Sequence, residues 1–211
     1  MGIGSLILGV VCLALDSAGM NSKHAFLEQA SATLENLSLL VEGLGLRSKA
    51  VYVPSSMSQG GQRILLPVRP LEEASNINTF FPDSLFVKYG PGGEDVGLLL
   101  KPPGEWLIKR ALDAGLIVND VEQSLNNVLA GFINLARSIK VERLGGELVV
   151  RLEGLDIKST RLRAEELLGS PLASITASVA AESLNSLLQV VDEENVDNGL
   201  VIKLKVLGPH G

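Results

Sequence analysis

The chain opens on fifteen residues without a charge, MGIGSLILGVVCLAL, and the first charges after them are Asp16 and Lys23. As a helix this run is about 22 Å long at roughly 1.5 Å per residue, and about 20 apolar residues cross a bilayer. Extension to Met20 supplies that length and leaves Asp16 near one interface. Residues 1–20 are therefore expected to anchor the chain in a membrane. Two other readings fit the same pattern. One is a secretory signal cleaved near Ser17-Ala18-Gly19, which lacks a basic segment before the apolar run. The other is a buried first helix of a soluble domain. Lys23 and Arg47 follow the run and nothing basic precedes it, so an anchored body is expected on the cytoplasmic side.

After the head, Leu27, Ala30, Leu34, Leu37, Val41 and Leu44 recur at spacings of three and four, which predicts a stalk or packing helix within 21–46. Gly43 and Gly45 supply its stop. Leu34, Leu37 and Val41 form one stripe and are candidates for self-association into a homodimer; the same stripe could pack on the chain's own body. Residues 47–211 read as one α+β domain, with antiparallel hairpins covered by helices. Short strands are expected at 51–53 and 63–68, and a hairpin at 84–89 and 96–101 across GPGGED. A short helix follows at 105–114. Asn119 and Glu122 then form a capping box that opens an amphipathic helix over 121–137. Residues 139–143 and 147–153 alternate across Leu144-Gly145-Gly146 as a second hairpin. Ser170 and Pro171 start a helix expected to reach Val191, the most buried of the set. In the last strand, 200–207, strict alternation puts Val201 on one face with Lys203 and Lys205.

Composition narrows the function more than the fold. Hydrophobic residues make up 46% of the chain and aromatic ones 4%, so the core must be aliphatic. A net charge of −6 without a local basic cluster argues against nucleic acid as a partner. The one cysteine, Cys12, excludes an intramolecular disulfide and a cysteine-rich zinc site. His24 and His210 stand near opposite ends, which leaves histidine-based metal sites and catalytic triads poorly supplied.

No motif assigns chemistry. GGEDV at 92–96 looks like the GG[D/E]EF signature of diguanylate cyclases, but glycine and acidic residues are also what a hairpin turn demands. Asp192, Glu193, Glu194 and Asp197 are expected to form an acidic loop, which fails the EF-hand pattern because its glycine and glutamate positions hold Asp197 and Lys203. Glu182, alone among apolar residues of its helix, is read as lying on an exposed stripe. Trp106 and the pair Phe80-Phe81 read as partly buried anchors. No catalytic, cofactor-binding or metal-binding residue is assigned, and no cofactor is expected. The expected function is a non-catalytic, membrane-tethered interaction domain. The alternatives are a sensor holding a small apolar ligand between the 171–191 helix and the sheet, and an enzyme of unrecognised type.

The segments VYVP (51–54), VGLLLKPPG (96–104) and SPLASITASVAAESL (170–184), in this order of elements, resemble an uncharacterised archaeal family with an N-terminal membrane segment. That resemblance implies a domain of unknown function and carries no catalytic residues. The last segment is also similar to the final helix of four-vinyl-reductase-type small-ligand domains. Ala173 or Ser174 stands here where a cysteine is often found there.

Overall fold

The computed structural model describes residues 28–69, 80–90, 92–155 and 163–207. The apolar head expected to anchor the chain lies outside them. Eight strands form the centre: β1 Val51–Val53, β2 Arg63–Pro67, β3 Phe86–Tyr89, β4 Asp95–Leu100, β5 Ser138–Leu144, β6 Glu147–Glu153, β7 Leu187–Val196 and β8 Gly199–Leu207. They make one sheet in the order β3-β4-β2-β1-β7-β8-β6-β5, and every neighbouring pair is antiparallel. Each half repeats one arrangement. β1-β2-β4-β3 and β5-β6-β8-β7 are both two hairpins joined through their second strands, and the halves meet where β1 pairs with β7. The α+β class with antiparallel hairpins is thus as the alternation predicts.

The helices lie against one face. They are α1 (28–43), α2 Glu105–Asp113, α3 Val121–Leu125, α4 Arg163–Leu168 and α5 Pro171–Leu184. Period-two alternation sends Tyr52, Ile64, Leu66, Leu98, Ile139, Leu148, Val150, Leu152, Leu188, Ile202 and Leu204 into the core beneath them. Helix α1 joins that core through Leu34 and Val41. It ends in a Schellman motif, with Leu46 N–H bonded to the Val41 carbonyl and Gly45 at φ +64. Helix α5 is capped by the Ser170 hydroxyl, which accepts from Ala173 N–H, and Pro171 sits in its first turn. The Tyr52 hydroxyl donates to the Leu168 carbonyl at 2.5 Å and Gln62 Nε2 to the Ser178 carbonyl at 2.7 Å, tying α4 and α5 to the sheet. Burial raises the Tyr52 pKa strongly, so the hydroxyl stays a donor.

The opposite face differs between the halves. On β1–β4 it carries a second apolar cluster of Val51, Val53, Leu65, Val87, Tyr89 and Leu99 under Phe81. A Cβ at Gly97 would meet Leu65 Cδ1 at 2.6 Å and the Leu66 carbonyl at 3.1 Å, so a side chain there would have to displace the buried Leu65. Arg63, nearly buried, donates to Asp83 at 2.8 Å and holds the segment that carries Phe81. On β5–β8 the same face is charged: Lys203 meets Asp192 at 2.9 Å and Arg151 approaches Glu142 at 3.9 Å. Val149 and Val201 are buried among these long side chains, whose stems cover them. Val201 does share its face with Lys203 and Lys205, as strict alternation requires.

Three expectations need correction. The helix from Ser170 stops at Leu184 instead of Val191, because Asn185 turns left-handed at φ +50 and the apolar run Leu187–Val191 enters β7. Asp192, Glu193 and Glu194 are consequently strand residues, not a loop. The helix expected over 121–137 is α-helical only to Leu125. It widens into a π-helical segment, Asn126–Phe132, and Asn134 at φ +50 ends the region.

Candidate functional site: the two edges of the sheet

An antiparallel sheet leaves a row of backbone donors and acceptors on each outer strand, and unpaired rows are templates for another strand. The outer strands here are β5 and β3. They are treated in opposite ways.

The first part of the β5 edge, at Ile139 and Val141, is sealed by side chains of α3 and the π segment. Asn126 Oδ1 accepts from Ile139 N–H at 3.1 Å, while its Nδ2 donates to the Ile139 carbonyl at 2.8 Å. One side-chain amide thus makes the pair of bonds that a neighbouring strand residue would make. Two residues on, Glu122 Oε2 accepts from Val141 N–H at 2.8 Å. The expected capping box is therefore not formed: Glu122 is committed to β5, and the cap is Asp120, whose Oδ1 accepts from Gln123 N–H at 2.7 Å. Asn126 opens the π segment, and Asn127 Nδ2 reaches the Leu116 carbonyl at 3.0 Å, so both amides work at the point where the helix widens. Beside this seal lies an open cleft of about 430 Å³, lined by Asp120, Glu122, Gln123, Asn126, Val141 and Arg143 among others.

The β3 edge carries no such seal among the described residues. The Leu85 carbonyl accepts from Leu99 N–H at 2.8 Å, so odd-numbered positions of this strand bond inward to β4. The backbone groups of Phe86 and Lys88 then point outward. Their side chains are exposed, Phe86 at 63%, whereas Val87 and Tyr89 are buried against β4. Val96, opposite Lys88, and Val68, bonded to the Val96 carbonyl at 3.0 Å, are also exposed. An apolar rim therefore runs from β2 to the free strand. Tyr89 closes β3; burial beside Asp95 pushes its hydroxyl up to about 12, so it stays neutral at physiological pH.

The self-association candidates from the sequence lie elsewhere. Leu34 and Val41 are in the core at 0% and 2% exposure, and Leu37 is partly buried against it. The exposed apolar residues of this region are Leu39 and Leu44. Glu182 is half-buried and not on an open stripe: its carboxylate accepts from Ser55 N–H at 2.7 Å and Ser55 Oγ at 2.8 Å. Burial raises its pKa, and the Ser55 bonds oppose the rise. It fastens the turn Ser55–Met57 to the end of α5. Of the acidic set, Asp192 pairs with Lys203, which lowers its pKa, and Glu193 accepts from Ser170 N–H at 2.9 Å. GGEDV forms the β3–β4 turn and the start of β4. Phe81 is buried, Phe80 is exposed, and Trp106 stacks under Arg110 at 5.6 Å on the surface of α2. Among the described residues no three of His, Cys, Asp and Glu come together as a metal site.

A family model matches residues 2–205, described as a domain of unknown function, DUF7982. The chain belongs to this family. No curated protein and no solved structure matches it significantly. The DUF7982 domain thus takes in both halves of the sheet and both edges. Asn126, Phe86 and Lys88 were not singled out from the sequence, and Glu122 was read there only as a capping residue. The one available signal was the Asn126-Asn127 pair inside an otherwise amphipathic helix, where neither residue favours helix.

Proposed function

We propose that this DUF7982 chain is a non-catalytic interaction domain, tethered to a membrane by residues 1–20, that binds a partner through the free edge of β3. The carrying observation is the asymmetry of the edges. Asn126 and Glu122 occupy β5 at Ile139 and Val141, while the outward groups of Phe86 and Lys88 meet no such side chain among the described residues and lie beside exposed Val96 and Val68. Edge strands are usually guarded, so an open one with an apolar rim fits strand addition by a partner. Tethering rests on the charge-free head. The other long apolar stretch, Glu165–Leu184, is long and apolar enough to cross a bilayer, but most of it is buried within the chain, as a core helix is. A small-ligand role would use the cleft beside α3. Its polar lining suits a polar molecule, not the apolar one expected between α5 and the sheet.

Fractionation of the chain with and without residues 1–20 tests the tether. The full chain should sediment with membranes and leave them in detergent but not in high salt, and the shortened chain should be soluble and folded. If both forms are soluble, the tether is wrong. If the shortened form unfolds, the head belongs to the core.

A further inference from the structure

We infer that the free edge of β3 pairs antiparallel with β3 of a second copy of this chain, joining two eight-stranded sheets across a two-fold axis at Val87. The inference names the partner of the edge proposed above and rests on that reading. In this register Phe86 of one copy stands opposite Lys88 of the other, twice. Both residues present their backbone groups outward, so each pair exchanges two bonds and the seam closes with four. The side chains agree with the backbone. Each Lys88 lies beside a phenyl ring, where its stem covers apolar surface and its ammonium meets the ring's negative face. Leu85, which is exposed, comes opposite Tyr89 on the other side of the sheet.

Lysine on an edge usually guards against pairing. Here it selects the register. A two-fold axis at Lys88 would set like charges directly opposite, and the axis at Val87 does not. The other edge limits the assembly: Asn126 and Glu122 occupy β5 at Ile139 and the Val141 N–H, so among the described residues β3 is the less obstructed edge, and pairing there is expected to end at a closed dimer instead of an open filament. A four-residue strand with its rim buries less than the roughly 1,200–2,000 Å² of a stable interface. Association is therefore expected to depend on concentration and to strengthen when both copies share a membrane.

The test uses the full chain in detergent micelles or vesicles of neutral lipid, over a range of protein-to-lipid ratios. Analytical ultracentrifugation or single-molecule fluorescence reads the dimer. Lys88→Pro removes the outward N–H without touching a bond to β4, because proline is tolerated on a free edge. It should weaken dimerisation at least tenfold while circular dichroism and melting temperature stay unchanged. In a Cys12→Ser background, Phe86→Cys with Lys88→Cys should cross-link position 86 of one copy to position 88 of the other, identified by peptide mass spectrometry. A dimer that ignores Lys88→Pro, or a cross-link between like positions, overturns the two-fold register. A full chain that stays monomeric overturns self-pairing. The edge amides then separate two cases: fast hydrogen exchange at Phe86 and Lys88 leaves the edge open to another strand, whereas protection in the monomer overturns the interaction reading as well.

Discussion

The two outer strands of this sheet meet the same physical problem with different sequences nearby. Strand β5 lies under a helix that supplies an asparagine and a glutamate at the right height, and three of its outward groups, the N–H and carbonyl of Ile139 and the N–H of Val141, are bonded. Strand β3 is bordered by an exposed phenylalanine and lysine and receives no comparable side chain among the described residues. The contrast teaches that the sealing is local. It depends on a helix that changes pitch at Asn126, so that its amide faces the strand. Among the described residues the two edges thus differ in their covering, and that difference is what the proposed use of β3 rests on.

Several substitutions would break or sharpen the contrast. The largest effect is expected from Leu34→Glu, which puts a carboxylate at a fully buried position of α1; a loss above about 4 kcal/mol, seen as an unfolded chain by circular dichroism, separates that stripe from the surfaces available for association. Asn126→Leu removes both bonds to Ile139 and leaves a backbone donor and acceptor without their partner. Urea denaturation should show a loss of about 2–3 kcal/mol, together with faster exchange on β5. A matched pair of prolines compares the edges directly. Val141→Pro deletes the N–H that Glu122 accepts and should cost about 1–3 kcal/mol, whereas Lys88→Pro should change the stability of the monomer by less than about 0.5 kcal/mol. Equal costs at the two sites would erase the distinction.

The smallest effect belongs to Glu182, in the middle of the molecule and on neither edge. Its folded pKa is raised, so the native state holds the proton more tightly than the unfolded chain does. Stability from this group is therefore full below its ordinary pKa and declines as pH rises through the raised value. Glu182→Gln should keep an acceptor for Ser55 and remove that decline. Melting curves should coincide with those of the parent in acid and lie at or above them at neutral pH. A variant that melts lower at neutral pH would show that the charged carboxylate is favourable in its place.

Much of this fold is legible in the sequence, because alternation and turn chemistry are local. Ile139 and Val141 against Leu148, Val150 and Leu152 mark a hairpin with one wet face, and Gly145-Gly146 marks its turn. The GPGGED hairpin and the short helix at Glu105 are readable for the same reason. The end of α5 is not, since Leu187–Val191 is an apolar run compatible with helix or strand, and only the left-handed Asn185 decides between them. Nor is the candidate site. Which strand is an edge depends on β4 pairing with β2 across a long connection and on β1 pairing with β7 from the far end of the chain. Asn126 looks like a poor helix residue until β5 is placed beside it. Leu34, Leu37 and Val41 show the converse: spacing identifies an apolar stripe, but not whether it meets the same chain or another.

Amide hydrogen exchange of the dilute, monomeric chain tests the central claim most directly, because it reads the two edges in one experiment. The account predicts slow exchange at Ile139 and Val141, held by Asn126 and Glu122, and fast exchange at Phe86 and Lys88. Protection at Phe86 and Lys88 equal to that at Ile139 and Val141 would contradict it.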